Sequence, residues 1–147
     1  MNEVIIKPLS IEYVESAYQT ERACLAEVWS RESIQNFIGK EDALYLVALK
    51  NGVVCGTVGM YIVSGEGQIM NIAVREGFRR QGIGKQLLDR LIQEGKKRGA
   101  SLFTLEVSSE NAAALRLYES FGFREVGRRK NYYKKSDAVL MTLDCPK

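Results

Sequence analysis

The sequence predicts one mixed α/β (α+β) domain, and three observations predict it. β-rich runs occupy roughly residues 4–7, 44–49 and 53–63, and the apolar spacing becomes helical after residue 82. Asn51-Gly52, between two apolar runs, is a strong hairpin signal, because both positions of such a two-residue turn need positive φ. Strand-like and helical stretches then alternate, as in a strand–helix–strand unit with a right-handed crossover.

The elements follow in order. Val4 to Lys7 is a short strand stopped by Pro8. Ser10 can cap a helix over 11–27, where Val14, Ala17, Tyr18, Cys24, Leu25 and Val28 recur at helical spacing. Ser30 or Ser33 can open a second short helix through Ile38, ended by Gly39. Leu44 to Leu49 and Val53 to Val63 form the hairpin, with Gly56 and Gly59 inviting a bend or bulge. Gln68 to Val74 is the next strand. A helix from Gly82 to about Arg98 buries Ile83, Leu87, Leu88, Leu91 and Ile92, and Gly99 stops it. Leu102 to Val107 is a strand parallel to the one at 68. Asn111 to Phe121 is a helix ended by Gly122, and strands near 124–133 and 138–143 follow.

The composition removes several function classes. The chain has 147 residues, 46% hydrophobic and 27% charged, which suits one globular domain and excludes a disordered chain. No apolar run approaches the roughly 20 residues of a membrane helix, so no membrane partner is expected. The N-terminal residues lack a basic segment followed by a long apolar stretch, so a cytoplasmic protein is expected. Histidine is absent, which removes Ser-His-Asp and Cys-His catalysis and every histidine-based metal site. Cys24, Cys55 and Cys145 are far apart, so neither a disulfide framework nor a metal is expected. A general base must therefore be a carboxylate, Lys, Tyr or the backbone.

Charge is unevenly spread. Residues 1–49 carry four basic and eight acidic side chains, residues 75–98 eight and three, and residues 124–135 six and one. Two basic zones in a chain of net charge +3 suit a small polyanionic ligand or an acidic partner surface. Solvated helix faces are the plainer alternative.

The most informative stretch is Arg79-Arg80-Gln81-Gly82-Ile83-Gly84-Lys85, which follows a strand and opens a helix. Glycines there admit a ligand close to backbone N–H groups, the helix N-terminus adds partial positive charge, and Arg79, Arg80 and Lys85 add full charges. These are the elements of a pyrophosphate cradle. A Walker loop fails, because Arg79 stands where its first glycine is needed and Gln86 where its hydroxyl residue is needed. A dinucleotide fingerprint fails at Leu87, where a third glycine is needed.

Residues 79–84 do match Gln/Arg-x-x-Gly-x-Gly/Ala, and this resembles the acyl-CoA loop of the GCN5-related N-acetyltransferase (GNAT) family. Asn71-Ile72-Ala73-Val74 resembles that family's fourth strand. Asn111-Ala112-Ala113-Ala114, Tyr118 and Gly122-Phe123 resemble its last conserved helix. The resemblance covers the whole chain, 1–147, as a single N-acetyltransferase domain. It implies a central mixed, mostly antiparallel sheet of about seven strands flanked by about four helices. Within the family, Leu105-Glu106-Val107, the segment 117–123 and Asn131-Tyr132-Tyr133 are similar to the bacterial ribosomal-protein-alanine N-acetyltransferases. One departure is Glu27-Val28, where that subgroup has Phe-Pro before the Trp29-Ser30 equivalent.

The resemblance implies acetyl-CoA as co-substrate and a protein N-terminal amine as acceptor. It implies main-chain contacts to acetyl-CoA from Ile72, Ala73 and Val74, a phosphate site at Arg79, Arg80, Gln81, Gly82, Ile83, Gly84 and Lys85, and a contact from Asn111 to the pantetheine arm. It implies Glu106 as base and Tyr118 as acid. Strand alternation alone leaves Glu106 as a solvent-facing carboxylate, and helix spacing alone leaves Tyr118 as a packed core residue. A phenol of pKa about 10 is a reasonable proton donor to a thiolate near 8.5. Trp29, Asn71, Tyr132 and Tyr133 are candidates for the acceptor pocket, although Tyr132 and Tyr133 suit plain packing equally well. Alternative readings are a small-amine or lysine acetyltransferase of the same fold, a CoA-binding protein without turnover, and a nucleic-acid binder using the two basic zones. The last ranks lowest, since one zone is assigned to CoA phosphates, and no nucleic-acid partner is expected.

Overall fold

The structure, a computed structural model, describes residues 3–25, 28–70, 72–133 and 136–145, with the side chain of Tyr133 outside that description. Its elements are β1 (Val4–Pro8), α1 (Val14–Cys24), α2 (Arg31–Gln35), β2 (Ala43–Lys50), β3 (Val53–Val63), β4 (Glu66–Ile69), β5 (Ala73–Val74), α3 (Ile83–Lys97), β6 (Leu102–Ser108), α4 (Ala112–Ser120), β7 (Arg124–Tyr133) and β8 (Ser136–Asp144). Short 3₁₀ turns at Ile11–Tyr13 and Glu76–Phe78 complete the described elements.

The strands form one sheet in the order β1-β2-β3-β4-β6-β8-β7, with β5 also paired to β3. Every pairing is antiparallel except β4 with β6, which α3 joins by a crossover. The sheet is the mixed, mostly antiparallel one expected. It has eight strands instead of about seven, because the single strand expected over Gln68–Val74 is broken between Ile69 and Ala73.

The β2–β3 hairpin turns at Asn51 (φ 54) and Gly52 (φ 78), both in the left-handed region that the turn requires. Further along it, Ala48 faces Gly56 and Leu49 faces Val54, so Cys55 is the extra residue of a bulge. Gly56 stands there because a Cβ would lie 3.1 Å from the Ala73 carbonyl and 3.1 Å from Leu87 Cδ1.

The first helix is shorter than expected. The Ser10 hydroxyl donates to Glu12 Oε1 and does not cap the turn, the chain starts as a 3₁₀ turn, and Leu25 is already extended (φ −116, ψ 146). Ser30 does cap α2, its Oγ accepting from the Ser33 N–H at 3.1 Å.

Alternation divides the core into two layers. Leu44, Leu46 and Ala48 pack with the α3 stripe of Ile83, Leu87, Leu88, Leu91 and Ile92 on one face. Tyr45, Val47 and Leu49 pack under Val14 and Ala17 of α1 and Ile34 of α2 on the other. β2 is buried on both faces, as a central strand of a three-layer domain should be.

Candidate active site

The break in the edge of β4 makes the site. β4 and β6 pair at Glu66–Leu102, Gly67–Phe103 and Gln68–Thr104, and there the ladder stops. β6 runs on to Ser108 against β8, while β5 returns to β3, with Met70 N donating to Gly59 O (2.8 Å) and Arg75 N to Cys55 O (2.9 Å). The two chains part beyond Thr104 and open a gap between β5 and the second half of β6. Since Arg75 and Ala73 face β3, alternation turns the N–H of Ile72 and Val74 toward the gap. The Val74 carbonyl is already engaged by Arg79 Nε (2.9 Å) and Cys24 Sγ (3.4 Å).

The glycine loop lies at one end of this gap. Arg80 (φ 64) and Gly82 (φ 78) are both left-handed and fold the chain into the start of α3. Gln86 N donates to Gly82 O, so the N–H groups of Ile83, Gly84 and Lys85 precede the first intrahelical bond and are open to a ligand. Arg80 and Lys85 are exposed beside them. Backbone donors, a helix N-terminus and exposed cations fit a pyrophosphate. Arg79 and Gln81 contribute differently: Arg79 pins the loop to Val74, and the Gln81 side chain bonds Gly77 O and Lys50. Ile83 is buried in the core, so only its main chain faces a ligand. A Cβ on Gly84 would meet Leu117 Cδ2 at 3.4 Å and the side chains of Ile72 and Val74 at 3.9 Å, so the helix start, α4 and the gap edge converge at this residue.

Asn111 is the N-cap of α4, its Oδ1 accepting from the Ala114 N–H at 3.1 Å. That oxygen is committed to the helix; the side-chain NH₂ is what Asn111 can offer a ligand. Tyr118, on the same helix, is 2% exposed and packs edge-on to Phe123 at 5.7 Å. Burial pushes its phenol well above the ordinary value, opposed by a hydrogen bond from the Ile72 main chain at the gap.

On the other face of the sheet the gap opens into a cleft of about 1060 Å³. Its walls include Glu106, Arg129, Trp29 and Tyr132. In β6, Phe103, Leu105 and Val107 are buried, and Glu106 projects the opposite way with its side chain 34% exposed. Arg129 Nη2 lies 3.2 Å from Glu106 Oε1, and its guanidinium also sits 5.7 Å from the Tyr132 ring centroid. Trp29 packs against Phe37 and Tyr61 at 6.1 and 6.0 Å. Asn71 and the Tyr133 side chain lie outside the described residues.

Three cleft residues escaped the sequence reading. Arg129 lies in the basic zone 124–135, but its approach to Glu106, two strands away, carries no local signal. Tyr45 lies in a wholly buried strand, where period-2 alternation in burial is absent. Glu21 did carry a signal: it stands seven residues after Val14 and four after Ala17, on the apolar stripe of α1.

Residues 14–123 match the Acetyltransferase (GNAT) family. The chain belongs to the GNAT family. The ribosomal protein bS18-alanine N-acetyltransferase of Escherichia coli (strain K12) is 37% identical over 142 residues, 94% of this chain and 95% of that protein. A crystal structure of the E. coli ribosomal-protein-S18-alanine N-acetyltransferase superposes with a TM-score of 0.88 at 35% identity, covering 99% of this chain and 96% of the other. A chain of a NatC complex bound to Gag peptide and CoA superposes with a TM-score of 0.85 at 27% identity, covering 97% and 98%. The gap in the sheet of this GNAT protein, the loop at the start of α3 and the Glu106 cleft thus sit in an acetyltransferase fold.

Proposed function

We propose that this enzyme transfers the acetyl group of acetyl-CoA to the α-amine of a protein N-terminus, specifically the N-terminal alanine of a ribosomal protein. The observation that carries the reading is the gap between β5 and β6, which has a carboxylate cleft on one face and a buried tyrosine on the other. The relative at 37% identity, named for alanine acetylation on bS18, supports the choice of acceptor.

Acetyl-CoA, when bound, supplies an activated acetyl thioester. The N–H groups of Ile83, Gly84 and Lys85, with Arg80 and Lys85, hold its phosphates. The main chain of Ile72, Ala73 and Val74 aligns its arm along the gap, with Asn111 beside it. Glu106 takes the proton released as the amine nitrogen bonds the acetyl carbon, directly or through water. Tyr118 gives a proton to the sulfur as the carbon–sulfur bond breaks. Its raised pKa keeps that proton in place at neutral pH. Trp29 and Tyr132 wall the acceptor peptide.

Mass spectrometry after incubation with acetyl-CoA tests the reading. An Ala-initiated peptide is acetylated at its α-amine, and faster than the same peptide with a blocked N-terminus and a free lysine. Faster acetylation of the lysine, or of a free polyamine, moves the enzyme to another acceptor class.

A further inference from the structure

We infer that Glu21 is a positioning residue for the acceptor: its carboxylate ties the strand bearing Tyr45 to the segment bearing Trp29 and so sets the wall of the acceptor half of the cleft. The inference rests on the proposed peptide acceptor.

Glu21 is 3% exposed and is the one buried acidic residue among the described residues. Both of its oxygens are used. Oε1 accepts from the main-chain N–H of Trp29, eight residues further along the chain, at 3.3 Å. Oε2 accepts from the Tyr45 hydroxyl, and Thr57, also buried, bonds the same hydroxyl. One carboxylate thereby joins α1, β2 and the chain leading into α2.

The joined residues also pack together. Phe37 meets Trp29 at 6.1 Å, Tyr45 at 5.4 Å and Tyr61 at 4.7 Å. This aromatic wall stands beside the gap. Tyr45 pairs with Gly59, and Gly59 O accepts from Met70 N at the point where β4 has just ended. Extending the parallel register by two residues brings Met70 level with Glu106. Glu21, Tyr45, Gly59, Met70 and Glu106 all line the one cleft. The catalytic carboxylate candidate and the clamped wall therefore border the same cleft from two sides of the gap.

Leaving a buried carboxylate on the apolar stripe of α1 is costly unless its bonds matter, because a buried charge needs hydrogen bonds to hold it. Here those bonds lead to no phosphate site and to no thiol-side residue. They lead only to the acceptor wall.

The test is a KM-against-kcat split on an Ala-initiated peptide. Glu21→Ala and Tyr45→Phe are expected to raise the peptide KM about tenfold, the usual weight of one or two buried hydrogen bonds. The KM for acetyl-CoA and the kcat at saturating peptide stay within about twofold of wild type. Tyr45→Phe leaves no cavity, so it reports even if Glu21→Ala fails to fold. Glu21→Gln can accept from Trp29 and donate to Tyr45, and it returns the peptide KM toward wild type. An unchanged peptide KM in Tyr45→Phe, or a loss confined to kcat, overturns the inference. So does a Glu21→Gln variant as impaired as Glu21→Ala, since the charge and not the clamp would then matter. A wild-type enzyme that acetylates no free α-amine marks failure of the acceptor reading instead. The same constants are then measured with the amine it does accept.

Discussion

Glu106 and Tyr118 approach the gap in the sheet from opposite faces. Tyr118 packs in the layer of Phe103, Leu105 and Val107, and Glu106, between the last two in sequence, points the other way into the cleft. In the proposed mechanism, amine and thiol chemistry are thereby separated by the thickness of one strand. In that mechanism, the carboxylate takes a proton from the incoming amine on one side and the phenol gives one to the departing sulfur on the other.

That separation predicts that binding and turnover come apart. Glu106→Gln is expected to bind acetyl-CoA with wild-type affinity in calorimetry and to lose about 10²-fold or more in kcat, the usual weight of a general base. Tyr118→Phe is expected to bind equally well and turn over slowly. Wild-type rates in both variants would remove the mechanism and leave the fold intact.

At the cradle, two glycines are glycine for different reasons. Gly82 needs a left-handed backbone at φ 78, with open space around a Cβ, so Gly82→Ala costs about 1–2 kcal/mol of backbone strain. Gly84 is an ordinary helical residue, and its Cβ would sit 3.4 Å from Leu117. Gly84→Ala should therefore leave the melting temperature nearly unchanged. Gly84→Val, whose branches crowd the helix start, should abolish acetyl-CoA binding in a folded protein. Calorimetry showing undiminished affinity in Gly84→Val would sink the phosphate site.

Much of the fold was legible because it is set by local chemistry. Gly39, Gly99 and Gly122, read as helix stops, all have positive φ, as do Asn51 and Gly52 at the hairpin. The α3 stripe was legible at Ile83, Leu87, Leu88, Leu91 and Ile92 because they recur at helical spacing, whereas the buried Gly95, whose Cβ would meet Phe103 at 2.7 Å, carries no apolar side chain to signal it. The break between Ile69 and Ala73 was not legible. Both β4 and β5 pair with β3, but the register shifts by one residue between Met60–Ile69 and Thr57–Ala73, and that shift leaves no local mark in the sequence. The same holds for the site. The face of Glu106 follows from alternation, but its neighbour Arg129 depends on how β8 and β7 stack beside β6. Asn111 was read as a ligand contact, yet an asparagine opening a helix also signals the cap it makes.

Glu21 predicts a pH-dependent stability. Burial raises its pKa above the ordinary carboxylate value, and the bonds from Tyr45 and Trp29 only partly oppose this. A group whose pKa is raised on folding contributes stability that is present below its unfolded pKa and lost as pH rises through the folded one. Glu21→Gln removes that loss. Its melting temperature should equal or exceed wild type at about pH 7, and the advantage should shrink toward about pH 4. A variant that melts lower at neutral pH and matches wild type in acid would reverse the sign and exclude burial as the dominant influence.

The pH profile of the reaction separates α-amine from lysine acceptors within one enzyme. Only a neutral amine attacks a thioester. With a pKa near 8, roughly a fifth of α-amines are neutral at about pH 7.4, against about one in a thousand for a lysine near 10.4. For an Ala-initiated peptide, kcat/KM should climb with pH through about 8, where half of the acceptor is neutral, and level off near about 9. Tyr118 adds no descending limb in that range, since burial holds its phenol above the ordinary value and it remains a proton donor. A peptide with a blocked N-terminus and a free lysine should still be gaining rate at about pH 9.5, from a much lower start. A half-maximum near about pH 8 for the α-amine and a continued rise for the lysine show that the acceptor's own ionisation controls both profiles. A fall in kcat/KM below about pH 9 with the α-amine peptide would mean that Tyr118 loses its proton early, and the assignment of the phenol as the acid would have to be abandoned.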